Sequence, residues 1–352
     1  MFTINEERVP NMAAKKYRVG VASMVHDHVW GELDIWAKRK DCVLVAAGDV
    51  NEELRERITT KYGVSRTYPS WEEMIDKEEL DIVQAASENS VCADIVERCA
   101  AKGIHVISEK PMAATVEQAN RMVAAAKTAG IKLMINWPTA WSPAIQEMER
   151  RILAGEIGPL IYFKQRSAHN GPKEIGCSTY FWQWLYNEEK NGAGALMDYC
   201  CYSADMCARY MGLPTEVTGF RGVFVKDYPV PDDNAIILMK YPHSFGVAEA
   251  CWTQKVHYAT HNPVAYGVDG SLAVGGDKLY LQQAGKEQQV ITPRPLESPK
   301  RNGPEYLIHC IENNEPVEGF CSMEVSRDAQ EILSAGKKAA DTGSTVHLPL
   351  NG

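Results

Sequence analysis

The chain has 352 residues, 45% hydrophobic and 24% charged, with a formal net charge of -9. That length buries a large core and predicts two domains; the acidic balance, without a Lys/Arg block, excludes the footprint of a nucleic-acid or anionic-membrane binder and leaves small molecules as the expected partners. Of ten cysteines several fall within apolar patterns and none makes a zinc-like CxxC pairing, MFTINEERVPNMAAKKY has no apolar leader region, and no run is long enough to span a bilayer, so reduced buried thiols and a cytoplasmic location are expected.

From Tyr17, strand and helix patterns alternate: YRVGVAS, VWGELDIWAKRK, CVLVAAGD, NEELRERITTKYG, DIVQAAS, SVCADIVERCAAKG, IHVIS, TVEQANRMVAAAKTAG and IKLMIN. Short Val/Ile-rich strands between amphipathic helices predict an α/β fold with a doubly wound parallel sheet, a dinucleotide-binding domain over residues 1–138. Asp49 closes the second strand, where a carboxylate accepts hydrogen bonds from a ribose diol and repels a 2'-phosphate, so NAD is favoured over NADP; it also reads as a helix N-cap.

The first strand-to-helix turn is unusual. Where such folds carry GxGxxG, this chain has Ala22-Ser23-Met24-Val25-His26-Asp27-His28. Phosphate would then be held by helix N-terminal amides and the Ser23 hydroxyl, with His26 or His28 donating. His-x-His is also a metal-pair spacing, but with no carboxylate or thiolate nearby in sequence no metal site is predicted.

HVISEKP, residues 105–111, ends a strand on Glu109 and Lys110, and Pro111 forbids further pairing. Lys110 therefore sits at the carboxyl edge of a parallel sheet, where ligands bind, although a solvated lysine in a turn is the commoner case.

Over residues 139–352 the pattern changes. SPAIQEMERRILAGEIG reads as a helix with Pro143 in its first turn and Gly155 and Gly158 near its end, LIYFKQRSAH as a strand, and a helix begins near Leu196. Segments between Glu216 and Leu281, such as EVTGFRGVF, NAIILMKY and FGVAEACW, predict a largely antiparallel sheet. EVSRDAQEILSAGKKAADTG is a final amphipathic helix.

Two segments here carry candidate chemistry. In NGAGALMDYCCYSAD, Gly192, Ala193 and Gly194 permit close backbone approach, and Asp198, Tyr202 and Asp205 share a helix face. A tyrosine beside a carboxylate acts as a proton acceptor and donor if a cation lowers its pKa, and Lys110 is the expected cation; a core tyrosine bonded to Asp198 is the alternative. His169, Tyr180 and Trp184 are candidate substrate contacts, by hydroxyl bonding and ring stacking, among aromatics that more often fill cores.

EKP at 109–111, GALMD at 194–198 and the terminal STVHLPL together resemble the glucose-fructose oxidoreductase and inositol dehydrogenase (Gfo/Idh/MocA) family. SENSVCADIVERCAAKG is similar to the family's TPNxxHxxxAxxAxxxG helix, with Ser87 and Asn89 in the cofactor-contacting turn and Cys92 where His is common; AGEIGPL and NNEPVEG match second-domain segments. The resemblance implies a Rossmann domain with Ser23, Met24, Val25, His28, Asp49, Ser87, Asn89, Glu109 and Lys110 around NAD. It also implies a second α/β domain whose large, mainly antiparallel open sheet mediates homo-oligomerisation, and a proton-transfer group of Lys110, Asp198 and Tyr202. Tyrosine at 202, where many relatives carry histidine, resembles the branch of glucose-fructose oxidoreductase and dihydrodiol dehydrogenase. The chain departs from the family at Ser23, Val25 and His28 (fingerprint glycines), at Cys200 (a glycine) and at Ala140 (often arginine), which suggests an altered substrate pocket. The expected function is NAD-dependent oxidation of a secondary hydroxyl on a sugar, glycoside or cyclic polyol. The alternatives are NAD-assisted glycoside cleavage through transient C3 oxidation and a non-catalytic ligand-sensing paralogue.

Overall fold

The computed structural model describes residues 16–256 and 261–350. The stretch read above for a leader lies, through residue 15, outside them. The first sheet is built from β1 (Tyr17–Ala22), β2 (Cys42–Gly48), β3 (Arg66–Tyr68), β4 (Ile82–Ala85), β5 (His105–Glu109) and β6 (Leu133–Asn136), all parallel, in the order β3-β2-β1-β4-β5-β6. Helices α1 (Val29–Lys38), α2 (Glu52–Tyr62), α3 (Trp71–Lys77), α4 (Cys92–Ala100) and α5 (Val116–Ala129) connect them. This is the doubly wound order in which the ligand crevice lies at the carboxyl ends of β1 and β4, where the winding reverses.

The strands read as continuous apolar runs because both faces are covered: Val19, Val21, Ile82, Val83, Val106, Ile107, Met134 and Ile135 are buried. Truncating any one of the isoleucines to alanine is expected to cost roughly 2–5 kcal/mol. Helix starts and stops follow local chemistry. Thr115 and Gln118 form a capping box at the start of α5, and Gly130 ends it in the left-handed region at φ 67°.

The chain passes to the second sheet between Asn136 and α6 (Pro143–Leu153). That sheet contains β7 (Leu160–Ala168), β8 (Glu216–Gly222), β9 (Asn234–Lys240), β10 (Phe245–Cys251), β11 (Val264–Gly267), β12 (Gly270–Gly275), β13 (Lys278–Gln283), β14 (Gln289–Ile291) and β15 (Val346–His347), in the order β14-β13-β12-β11-β7-β10-β9-β8-β15. Its pairings are antiparallel except for β7 with β10. Helices α7 (Thr179–Leu185), α8 (Glu188–Asn191) and α9 (Ala195–Met211) follow β7, and α10 (Gly303–Glu312) and α11 (Met323–Thr342) close the chain.

Helices α9 and α11 pack on one face of the second sheet, over buried Val217, Ile237, Met239 and Ala248. The opposite face carries Phe220, Leu238, Phe245 and Tyr266 exposed, two of them more than half (Phe220 68%, Phe245 57%). Helix α11 also touches α5 and β6, so the last helix ties the two sheets together.

Candidate active site

Lys110 follows β5 directly and is 2% exposed. Its Nζ donates to Asp198 Oδ1 at 2.8 Å and to the Asp198 carbonyl at 3.2 Å, and lies 4.7 Å from the centre of the Tyr202 ring. Asp198 comes from the first turn of α9. That helix is placed by Asp232, a buried carboxylate that accepts from the amides of Gly194 (2.9 Å) and Leu196 (2.8 Å) at the helix start. The approach requires glycine: a Cβ on Gly194 would lie 2.3 Å from the Asp232 carbonyl oxygen, and Gly192, at φ 98°, packs against the Ala114 carbonyl. The second Asp198 oxygen accepts from Trp252 Nε1 at 3.3 Å. Trp252 lies just past the end of β10 and is fully buried.

Burial works against the Lys110 charge, but Asp198, Tyr202 and Cys201 outweigh it and hold the ammonium well above its ordinary pKa. Tyr202 corrects the sequence expectation. Burial pushes its phenol up by more than Lys110 pulls it down. Lys110 is the largest opposing influence, but Cys201 and Asp198 add to burial in pushing the phenol up. Tyr202 is therefore a protonated phenol across the physiological range. His169 stands against the Tyr199 ring at 4.7 Å, and its Nδ1 accepts from the Gly171 amide at 2.8 Å. Burial lowers its pKa and the Lys110 charge adds to this, with Asp198 opposing, so its imidazole is neutral.

Asp205 does not join this group. It is fully buried with neither oxygen bonded among the described residues; burial and then Glu149 push its carboxyl well up, with Arg209 opposing. Cys200 packs its thiol on the Ala248 carbonyl in the sheet, and Ala140 lines a separate cavity of about 220 Å³ with Trp141 and Arg209. Neither departure from the family pattern shapes the surroundings of Lys110.

The glycine-free turn is tightly bonded. Ser23 takes φ 63°, the left-handed conformation a glycine would supply, and its amide donates to Gly48. Asp49 spends its carboxylate on the turn: Oδ2 accepts from the Met24 amide (2.6 Å) and the Ser23 hydroxyl (3.3 Å), and Oδ1 from the Asn51 amide and side chain (both 2.8 Å). The expected ribose acceptor is thus first a brace, because four donors already fill its acceptor sites. The Met24 side chain is buried in the core.

Other expected cofactor contacts are also committed. Asn89 donates to Asn191 Oδ1 (2.8 Å) and to its carbonyl (3.1 Å), joining the β4–α4 connection to the NGAG segment; Ser87 donates to the Glu88 carbonyl. Glu109 accepts from Asn136 Nδ2 (3.0 Å) and meets His28 Nδ1 at 3.0 Å. Burial, then Glu109, raises the neighbouring Glu32 carboxyl to about 8, with Asn136 opposing.

The aromatic candidates divide. His169 is beside the Lys110 cluster, whereas Tyr180 bonds Glu53 on α2, and Trp184 donates to the Val25 carbonyl and packs 5.8 Å from the His26 ring. Tyr180 and Trp184 lie over the turn because α7 folds across it; Ser178, ahead of α7, donates its amide and hydroxyl to Asp27, both at 2.6 Å. Sequence reasoning missed Trp252 and Tyr199, whose side chains reach the site only through the fold. It also missed the carboxylate that completes a His26–His28–Glu109 donor group, within 4.8 Å of one another. The group's donor atoms already make protein hydrogen bonds, and the nearby Lys110 charge argues against a cation.

The residues fit a dinucleotide at this edge. The Val25 and Asp27 amides have no hydrogen-bond partner among the described residues, leaving two donors at the turn for an anionic bridge, while Lys110 follows the end of β5, next to the Glu109 that His28 meets.

Known proteins share this two-sheet fold. Residues 19–137 match the family model described as "Oxidoreductase family, NAD-binding Rossmann fold", and residues 145–278 match "GFO/IDH/MocA C-terminal domain". The chain is 33% identical over 139 residues to D-apiose dehydrogenase of Paraburkholderia graminis, covering 40% of this chain and 36% of that one. It is 24% identical over 241 residues to scyllo-inositol 2-dehydrogenase (NAD(+)) of Bacillus subtilis, 66% of each. The chain thus matches from about a third to about two thirds of the length of these curated relatives. Among solved structures, levoglucosan dehydrogenase in complex with NADH and levoglucosan superposes with a TM-score of 0.80 at 19% identity, covering 95% of this chain and all of that one. Aldose-aldose oxidoreductase from Caulobacter crescentus does so at 0.78 and 23%, with the same coverage.

Proposed function

The chain belongs to the Gfo/Idh/MocA family of NAD-binding oxidoreductases, and from that premise we propose that it is a dehydrogenase acting on a secondary hydroxyl of a sugar, glycoside or cyclic polyol. The observation that carries the reading is the buried Lys110–Asp198 pair beneath Tyr202, at the carboxyl edge of β5. The names of relatives, among them D-apiose dehydrogenase, scyllo-inositol 2-dehydrogenase and D-glucoside 3-dehydrogenase, support the substrate class.

NAD, when bound, supplies the hydride acceptor or donor. The amides of Val25 and Asp27 would hold its anionic bridge, and the negative charge of Asp49 at the end of β2 favours the form without a 2'-phosphate. Lys110, kept charged by Asp198, donates to the reacting oxygen and stabilises negative charge there. Tyr202 holds the proton exchanged with that oxygen. As a protonated phenol it is ready to donate during carbonyl reduction, whereas accepting a proton during oxidation becomes easier as pH rises. Trp252 keeps Asp198 oriented toward the lysine. His169, neutral, bonds a neighbouring hydroxyl.

The exposed face of the second sheet, with Phe220, Leu238 and Phe245, supports self-association through that surface. Sedimentation of the wild type against Phe245→Glu tests it: a monomeric wild type removes the reading.

Calorimetric titration with NAD and with NADP, followed by a glycoside and polyol screen monitored at the nicotinamide absorbance, tests the main proposal. Preferential NAD binding and stoichiometric NADH release are expected. Product formation without net NADH release points to an internally recycled cofactor, and no binding of either dinucleotide removes the dehydrogenase reading.

A further inference from the structure

A cavity separate from the Lys110 cluster opens where the turn Pro138–Trp141, α6, the end of α9, α10 and the turn Gly319–Cys321 meet. None of Lys110, Asp198 and Tyr202 lines it, and its volume is about 220 Å³. Pockets for drug-sized ligands run to roughly 300–1,000 Å³, so this one takes a single small ring and is too small for a dinucleotide.

Its polar groups come from one face of α6 and the last turn of α9. Gln146, Glu149, Arg150 and Leu153 recur at the three- and four-residue spacing that puts side chains on one side of a helix. Glu149 is the buried member, its side chain 9% exposed, and its Oε1 accepts from Arg209 Nε at 2.6 Å. Its Oε2 and the two terminal nitrogens of Arg209 have no hydrogen-bond partner among the described residues. The pair thus meets through one atom of each group and leaves an acceptor oxygen and the guanidinium's terminal N–H donors for a ligand. Polar groups left unpaired at a buried position are costly, and a ligand that bonds them removes that cost.

Another wall is aromatic. Trp141 and Tyr306 stand edge to face, ring centres 6.3 Å apart. Both rings are held from behind: Trp141 Nε1 donates to Asn136 Oδ1 at 2.9 Å, and the Tyr306 hydroxyl accepts from the Glu318 amide at 3.0 Å. Walls fixed in advance spare a ligand the entropy of ordering them. The charges balance. Arg209 pairs with Glu149 and Arg150 with Glu147, at 2.8 Å, while Lys300 and Glu318 add one charge of each sign.

We propose that this cavity is a second binding site, for an uncharged polyhydroxylated ring of monosaccharide size. A charged ligand finds no surplus of the opposite sign. Hydroxyls, which both donate and accept, match the open groups of Glu149 and Arg209, and the C–H face of such a ring rests on the aromatic wall. The site stands on these residues alone and holds whether or not Lys110 supports dehydrogenation.

The test is hydrogen–deuterium exchange of the full chain with D-glucose as the probe, read by peptide mass spectrometry. Protection is expected in peptides covering 138–153 and 303–321, with the α5 peptide unchanged. Ala140→Leu, at a position that lines the cavity, fills it and should abolish that protection, whereas any protection around Lys110 stays. Gln146→Ala, at a half-exposed position, should raise the glucose concentration for half-protection roughly threefold to tenfold, the scale of one hydrogen bond. No protection at the solubility limit of glucose overturns the proposal, and so does uniform protection of all peptides, the mark of an excluded osmolyte. Protection that survives in a folded Ala140→Leu also overturns it. Should that variant not fold, an unchanged midpoint in Gln146→Ala decides against the site. D-glucuronate, a similar ring carrying a carboxylate, should protect less; stronger protection by glucuronate would overturn the uncharged class.

Discussion

The β1–α1 turn and the Lys110 cluster are neighbours at the carboxyl edge of the first sheet, joined through His28 and Glu109, and were built by opposite means. The turn abandons the glycine pattern and replaces it with a dense set of local and cross-domain bonds: Asp49 on Met24 and Ser23, His28 on Glu109, and Ser178 on Asp27. The cluster keeps its residue types, EKP and GALMD, but the ion pair at its heart joins residues 88 positions apart. The difference teaches that a motif of shape can be replaced by compensating bonds, because many residues can hold a backbone in place. A motif of chemistry is harder to replace, because the site must keep a charge and a transferable proton side by side.

The strongest break of this comparison is Lys110→Ala. Turnover should fall by about 10²–10⁴-fold while NAD affinity stays near wild type, because the bonds that hold the turn do not run through the Lys110 side chain; steady-state kinetics with a parallel NAD titration decide it. If affinity collapsed together with turnover, the turn and the cluster would not be separable.

Asp198→Asn comes next. It leaves the Lys110 ammonium buried without its partner, and removing one member of such a pair costs roughly 3–5 kcal/mol. Urea unfolding should record the loss, and stability equal to wild type would mean the pair is not the anchor of α9 against β5.

At the turn, Asp49→Ala strips the acceptor from the Met24 amide and the Ser23 hydroxyl. A loss of about 1–3 kcal/mol is expected for donors left unsatisfied, together with weaker NAD binding and little change in kcat, measured by calorimetry and kinetics. A fall in kcat at saturating NAD would show that the turn and the Lys110 cluster are coupled.

Two smaller effects are read by pH. Since burial holds the Tyr202 proton, the rate of alcohol oxidation should climb with pH through the alkaline range, whereas reduction stays flat near neutrality; a flat oxidation profile would remove the phenol from proton transfer. Glu32, raised from 4.5 to about 8 by burial and then Glu109, holds in the native state a proton that the unfolded chain gives up. Its contribution to stability is therefore full below about pH 4.5 and declines as pH rises toward about 8. Glu32→Gln should flatten the melting temperature between pH 5 and pH 8.5, and a parallel decline in wild type and variant would contradict the assignment.

Much of the fold was legible in the chain. Apolar runs such as YRVGVA and IHVIS, largely buried on both faces, announce a parallel sheet, and the shift to alternation after Glu216 announces a sheet with one open side. Small elements were not legible: β3, with three residues, has too little pattern to distinguish it from a turn. At the site, Lys110, Asp198 and Tyr202 were readable because residue type and spacing carry their chemistry. Tyr180 and Trp184 were assigned to substrate on aromatic character alone, and the path of α7 took them to the turn instead.

The residues by themselves determined the class of sheet, the lysine at its ligand edge, the acid and phenol one helical turn apart, and the loss of the fingerprint glycines, because periodicity and residue chemistry are local properties. Only the tertiary structure decided that Asp49 braces the turn, that Trp252 holds Asp198, that Glu109 meets His28, and that burial overrides Lys110 at the Tyr202 phenol. Each of these depends on which side chains share a buried volume and how much charge is already paired within it. Distance along the chain does not encode that.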